Sequence, residues 1–135
     1  MKEQTLDLMR QSFPVVFQHK AEISHHFYQL LFRDAPETRA MFSTNMGEQR
    51  EVMASVLTAL AKTSIDPNAV QETLDRLARS HANLGLTPRQ FEVGEAALRN
   101  ALISAMTGKV PDEVLAAWLL AVRRVIEAMQ EPPDS

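Results

Sequence analysis

The first candidate for chemistry in this chain is a histidine that continues an apolar helix face. Between Val70 and His81 the apolar positions Val70, Leu74, Leu77 and Ala78 recur at helical spacing, and His81 follows Leu77 by four residues and Ala78 by three. Its ring is therefore expected to point toward a core. At a helix end one ring nitrogen can donate to the Leu77 carbonyl a turn back, leaving Nε2 as an inward lone pair, which a metal ligand requires. The same placement also suits a core histidine satisfied by a neighbour or a cation capping a helix C-terminus, and the helix by itself favours that plainer role. His19, His25 and His26 have no partner at ligand spacing and read as solvated or capping residues, one of them at most at a pocket rim. Tyr28, in a segment made apolar by Phe27, Leu30, Leu31 and Phe32, must be half-exposed or line a pocket, because a buried hydroxyl needs a partner. Nothing matches G-x-S-x-G, a phosphate-binding loop or H-E-x-x-H, so hydrolytic and nucleotide chemistry lack a motif.

The elements that would position these residues are helices. The chain has 135 residues, 45% hydrophobic and 23% charged, which suits one domain spanning the whole sequence. No apolar run is long enough for a membrane span, and the opening residues carry charges in place of the apolar core of a secretory signal, so the expected setting is cytoplasmic. Zero cysteines exclude disulfides, thiolate metal sites and cysteine nucleophiles. A net charge of −3 with both signs intermixed gives no basic footprint for nucleic acid. Only four glycines stand among many Ala, Leu, Glu, Gln, Arg and Met residues, and no alternating strand pattern occurs, which makes the fold class all-α.

Helices are expected near 3–18, 21–33, a short turn at 36–41, then 46–62, 67–82, 88–107 and 111–130. Pro14 interrupts the first and is expected to kink it. Asn45 with Glu48, Asp66-Pro67, Thr87-Pro88 with Gln90, and Pro111-Asp112-Glu113 supply start signals. The stripe Val52, Met53, Val56, Leu57, Leu60 and Ala61 should face a core. So should Phe91, Leu98, Ala101, Leu102 and Ala105 on one long helix and Val114, Leu115, Trp118, Val122, Val125, Ile126 and Met129 on the next. The short link between those two predicts an antiparallel pair. Residues 131–135 read as a frayed tail, and the Arg123-Arg124 pair as a solvated face.

In order along the chain stand F-Y-x-x-L-F-x-x-x-P-E-x-R-x-x-F from Phe27 to Phe42, G-E-Q-R-E from Gly47 to Glu51, and His81-Ala82-Asn83-Leu84-Gly85-Leu86 followed by Pro88 and Phe91. Together these resemble bacterial single-domain globins of the Vitreoscilla type and the globin half of flavohaemoglobins, over essentially all of residues 5–129. The resemblance implies a globin fold around haem b, with His81 as the proximal iron ligand, Tyr28 and Gln49 as the distal pair, and Phe42, Met53, Leu77 and Phe91 against the haem. It further implies a five-coordinate iron that binds dioxygen, nitric oxide or carbon monoxide, with nitric oxide dioxygenation as a further activity. A phenol O–H and an amide N–H are donors suited to a gas ligand that acquires negative character.

Three positions depart from the flavohaemoglobin pattern. The proximal tyrosine position is Phe91, with the following Val93-Gly94 pair one residue earlier than usual; the C-terminal glutamate position falls at or near Ser135; and Ser80 stands where a basic residue often precedes the histidine. A less anionic proximal imidazole would push less electron density toward a ligand, disfavouring peroxidase-like cleavage. A flavin and nicotinamide reductase would take about two hundred further residues, so an external reductase is the expected electron source. Two other classes remain open from sequence: a haem-based gas sensor acting through a separate partner, and a globin-like interaction module that has lost haem.

Overall fold

The computed structural model describes residues 3–42, 44–65, 72, 75–76, 78–79, 81 and 84–130. Five α-helices account for most of them: α1 (Glu3–Gln18), α2 (Lys20–Asp34), α3 (Met46–Ile65), α4 (Pro88–Met106) and α5 (Asp112–Gln130), with a 3-10 helix over Pro36–Met41. Glu72, Asp75, Arg76, Ala78, Arg79 and His81 are also helical. The expected boundaries agree to within a few residues wherever they can be compared. The start at Asp66-Pro67, the Leu77 carbonyl, Ser80 and the tail at 131–135 lie outside the described residues.

Local hydrogen bonds explain the helix starts. At α4 the Thr87 hydroxyl accepts from Gln90 N at 3.2 Å and the Gln90 side chain accepts from Thr87 N at 3.0 Å, a reciprocal capping box. At α3 the Asn45 side chain accepts from Glu48 N at 3.0 Å. Helix α1 runs through Pro14, which is exposed. It ends because His19 leaves the helical geometry and its Nδ1 takes up the Val15 carbonyl at 2.8 Å, so α2 can set off at a new angle one residue later.

The core is one cluster to which α1, α3, α4 and α5 all contribute, centred on Met9, Val16, Met53, Leu57, Leu102, Trp118 and Val122, with Ile23 from α2. Trp118 is almost fully buried, yet its indole N–H is satisfied, donating to Ser12 Oγ at 2.9 Å; that hydroxyl donates in turn to the Met9 carbonyl at 3.2 Å. Phe13 stacks on the indole with centroids 6.4 Å apart. Ala97, Ala101 and Ala105 form a buried row of small side chains along α4, which lets neighbouring helices approach. Arg123 of α5 reaches Glu95 of α4 at 3.0 Å, and the two residues lie equally far from the 107–111 turn, as an antiparallel pair requires. Arg123 also pairs with Glu127 at 3.0 Å.

One expected core residue is displaced. Val52 is 44% exposed, while Met53, Leu57, Leu60 and Ala61 are buried and Val56 partly so. The buried set steps by four and three residues, and Val52 falls one position, about 100°, off that stripe. Among the described residues no helix is long and apolar enough to cross a membrane.

Candidate functional site

Two hollows adjoin one another and share Phe42 as a wall. The first, a cavity of about 210 Å³, is lined by α2, the 3-10 helix, α3, α4, α5 and His81. Its walls are almost wholly apolar: Phe27, Leu31, Phe42, Met53, Val56, Leu60, Phe91, Leu98, Val125 and Ile126 among others. His81 is the one imidazole among the described residues that line it, and the ring is half-buried. Thr38, whose hydroxyl is committed to the Ala35 carbonyl at 2.7 Å, and Gln90 are the other polar side chains there. Gly94 borders the cavity on α4, and a Cβ at that position would meet nothing within 4 Å. Met41 and Leu84, both among the exposed large apolar residues, stand on its lining as well.

Of the residues expected to meet in one site, His81, Phe42, Met53 and Phe91 do so in this cavity. Leu77 lies outside the described residues. Tyr28 and Gln49 stand together in the second hollow, with Phe42 between the two compartments. The half-exposed alternative for Tyr28 is not realised: it is 4% exposed. Three aromatic neighbours bury it, Phe27, Phe32 and Phe42, with ring centroids 5.0, 5.6 and 5.2 Å away. Among the described residues its hydroxyl has no hydrogen-bond partner. Burial pushes the phenol up to about 12, so Oη keeps its proton at any physiological pH. A buried donor without an acceptor costs stability, which marks this hydroxyl as poised for something other than the fold.

His25, as the sequence allowed for one histidine, stands at the rim of the second hollow, while His26 meets it edge-on at 5.7 Å. The described residues contain no group of three His, Asp or Glu side chains that could hold a metal, so any metal chemistry would rest on His81 with a group that brings its own ligands. Sequence reasoning missed Arg39 and Arg50, which line the second hollow from the 3-10 helix and from α3. It also missed Arg89, which brackets the site from outside: its Nη2 donates to the Asp34 carbonyl at the end of α2 at 2.8 Å, and its Nη1 approaches Glu37 Oε1 at 3.5 Å.

Comparison with known proteins places these features in context. Residues 25–129 match the sequence profile of the family described as Globin. The flavohemoprotein of Rhizobium meliloti is 28% identical over 124 residues, covering 90% of this chain and 31% of its own length; the chain thus spans about a third of that relative. An engineered carbene transferase derived from a nitric oxide dioxygenase candidate of Rhodothermus marinus superimposes with a TM-score of 0.73 at 31% identity, covering 94% of this chain and 89% of its own. A bacterial globin from Campylobacter jejuni superimposes with a TM-score of 0.75 at 22% identity, covering 93% and 91%.

Proposed function

The chain belongs to the globin family, and from that premise we propose that it is a cytoplasmic b-type haem globin that binds dioxygen, nitric oxide or carbon monoxide. The observation that carries this reading is a single imidazole set among apolar walls: His81 in a cavity otherwise bounded chiefly by Phe, Leu, Met, Val and Ile. Such a cavity suits the faces of a flat apolar macrocycle, and Gly94 leaves the α4 backbone open to close approach. Iron protoporphyrin, held there, would supply a metal able to bind a diatomic gas.

The protein's own residues then divide the work. His81 would hold the group through one ring nitrogen, and Phe42, Met53 and Phe91 would exclude water from the same cavity. Phe91 has no hydroxyl to offer the proximal imidazole, so binding is favoured over cleavage of an O–O bond. Tyr28 presents a phenol that stays protonated and has no other partner among the described residues, and Gln49 presents an amide in the same hollow. Preorganised donors of this kind are worth a few kcal/mol to a ligand that accumulates negative charge in a dry site. Conversion of nitric oxide to nitrate is the further activity in this reading, with electrons arriving from a separate reductase. The flavohemoprotein and carbene-transferase relatives support it.

Absorption spectra of the purified protein, ferric, ferrous and with carbon monoxide, compared with His81→Ala, test the assignment. Stoichiometric haem and a five-coordinate ferrous spectrum, lost or altered in the variant, are expected. A protein that takes up no haem, or a variant with unchanged spectra, would overturn the role of His81.

A further inference from the structure

Sulfur chemistry in this chain is confined to methionine, of which the sequence holds seven beside no cysteine. The described ones divide by exposure. Met9, Met53 and Met106 are at most 1% exposed and Met129 is half-buried, whereas Met41 is 38% and Met46 64% exposed. Both exposed thioethers stand on the walls of the two hollows. Met41 closes the 3-10 helix, directly precedes the shared wall Phe42, and lines the His81 cavity. Met46 opens α3 and lines the second hollow, not the first. The same reactive group is thus accessible in each compartment. Met53 lines the same cavity as Met41 but is shielded from solvent.

Oxidation of a thioether by peroxide follows its access to solvent, and the product, a sulfoxide, is polar where the thioether was apolar. We propose that Met41 is a peroxide-sensitive modification site that sets how tightly the His81 cavity holds an apolar occupant. Its sulfur attacks one oxygen of hydrogen peroxide, and the S–O bond forms as the O–O bond breaks. The departing hydroxide takes the proton of the transferred oxygen, so the products are methionine sulfoxide and water. Sulfur is oxidised by two electrons and the peroxide is reduced by the same two. The new oxygen on the cavity wall must shed its water whenever an apolar group fills the space, a penalty that the thioether does not carry. Oxidation therefore loosens the occupant, and reduction of the sulfoxide by a thiol-dependent reductase restores the grip. This response goes beyond gas binding, and it rests on the apolar walls of the cavity whether or not haem is what fills them.

Limited treatment of the whole chain, free of haem, with hydrogen peroxide tests this, the sulfoxides being mapped by peptide mass spectrometry. Met46 and Met41 should convert before Met53, Met9 and Met106. Affinity at the cavity is then read twice, by fluorescence of 8-anilinonaphthalene-1-sulfonate and by absorbance during haem titration. Conversion of Met41 should weaken both by about tenfold, the loss expected for one polar group buried without a partner. Met46→Leu should lose affinity on oxidation as the parent does, whereas Met41→Leu, which nearly conserves side-chain volume, should be insensitive to peroxide. Methionine sulfoxide reductases with dithiothreitol should restore the parent, which irreversible damage would not allow. Met41 no more reactive than Met53, a peroxide effect that persists in Met41→Leu, or unchanged affinity once Met41 is converted would overturn the proposal, as would an untreated protein that binds no dye. Dye binding that responds to Met41 oxidation in a protein that takes up no haem would uphold the proposal and sink the haem assignment alone.

Discussion

Tyr28 is the single tyrosine in the chain, so the phenolate absorbance of the whole protein reports on that one hydroxyl. Burial raises its pKa from 10.0 to about 12. The folded protein therefore holds the proton that the unfolded chain has already released between those values. The stabilisation is complete below pH 10 and is lost as pH rises toward 12, by about 2 kcal/mol. Spectrophotometric titration should show the phenolate appearing near pH 12 or together with unfolding; a midpoint near 10 in the native protein would contradict the burial. Tyr28→Phe keeps the ring contacts and removes an unpartnered hydroxyl, so stability should hold or rise slightly. Dioxygen release, measured by flow methods, should accelerate by roughly tenfold or more, as befits loss of a preorganised donor; an unchanged rate would take Tyr28 out of the gas site. The position of His81 was legible because a four-residue step defines a helix face. The burial of Tyr28 was not, since it depends on Phe42, fourteen residues on and beyond its own helix. Arg39 and Arg50 escaped notice for the same reason: they converge only through the packing of the 3-10 helix on α2 and of α2 on α3.

At the scale of elements, helix starts were readable wherever the signal is a hydrogen bond within four residues, as at Asn45 and Thr87. Val52 was misplaced because an apolar residue beside a stripe looks like part of it until the neighbouring helix selects the true contact line. The pairing of α1 with α5 through Ser12 and Trp118 was invisible from sequence, separated as they are by 106 positions. Ser12→Ala would leave the buried indole N–H without its acceptor, a loss of about 1–3 kcal/mol. Urea denaturation followed by fluorescence is a direct readout, since Trp118 is the only tryptophan. An unchanged midpoint would show that the indole finds another acceptor.

For the molecule as a whole, the His81 cavity lies among the same helices that build the core: α3, α4 and α5 supply Met53, Leu60, Leu98, Val122 and Val125 to both. A group that fills it stabilises the folded state by mass action, about 2.7 kcal/mol at a hundredfold excess over its dissociation constant. Haem addition to the haem-free protein should accordingly raise the melting temperature by several degrees, about 4 °C or more, and His81→Ala should forfeit much of that rise. No rise in the parent protein would count against the cavity as the haem site.

Arg89 gives the two hollows a route to one another. By holding the last turn of α2 and Glu37 at the start of α4, its guanidinium fastens three elements at one corner. Gln90, Phe91 and Gly94 on α4 face the His81 cavity; Arg39 on the 3-10 helix faces the other hollow, and Phe42 at its end borders both. Arg89 thus ties α4, which borders the first compartment, to the 3-10 helix, which borders the second. Thermodynamic reciprocity then requires that whatever occupancy of one does to affinity at the other is returned in equal measure.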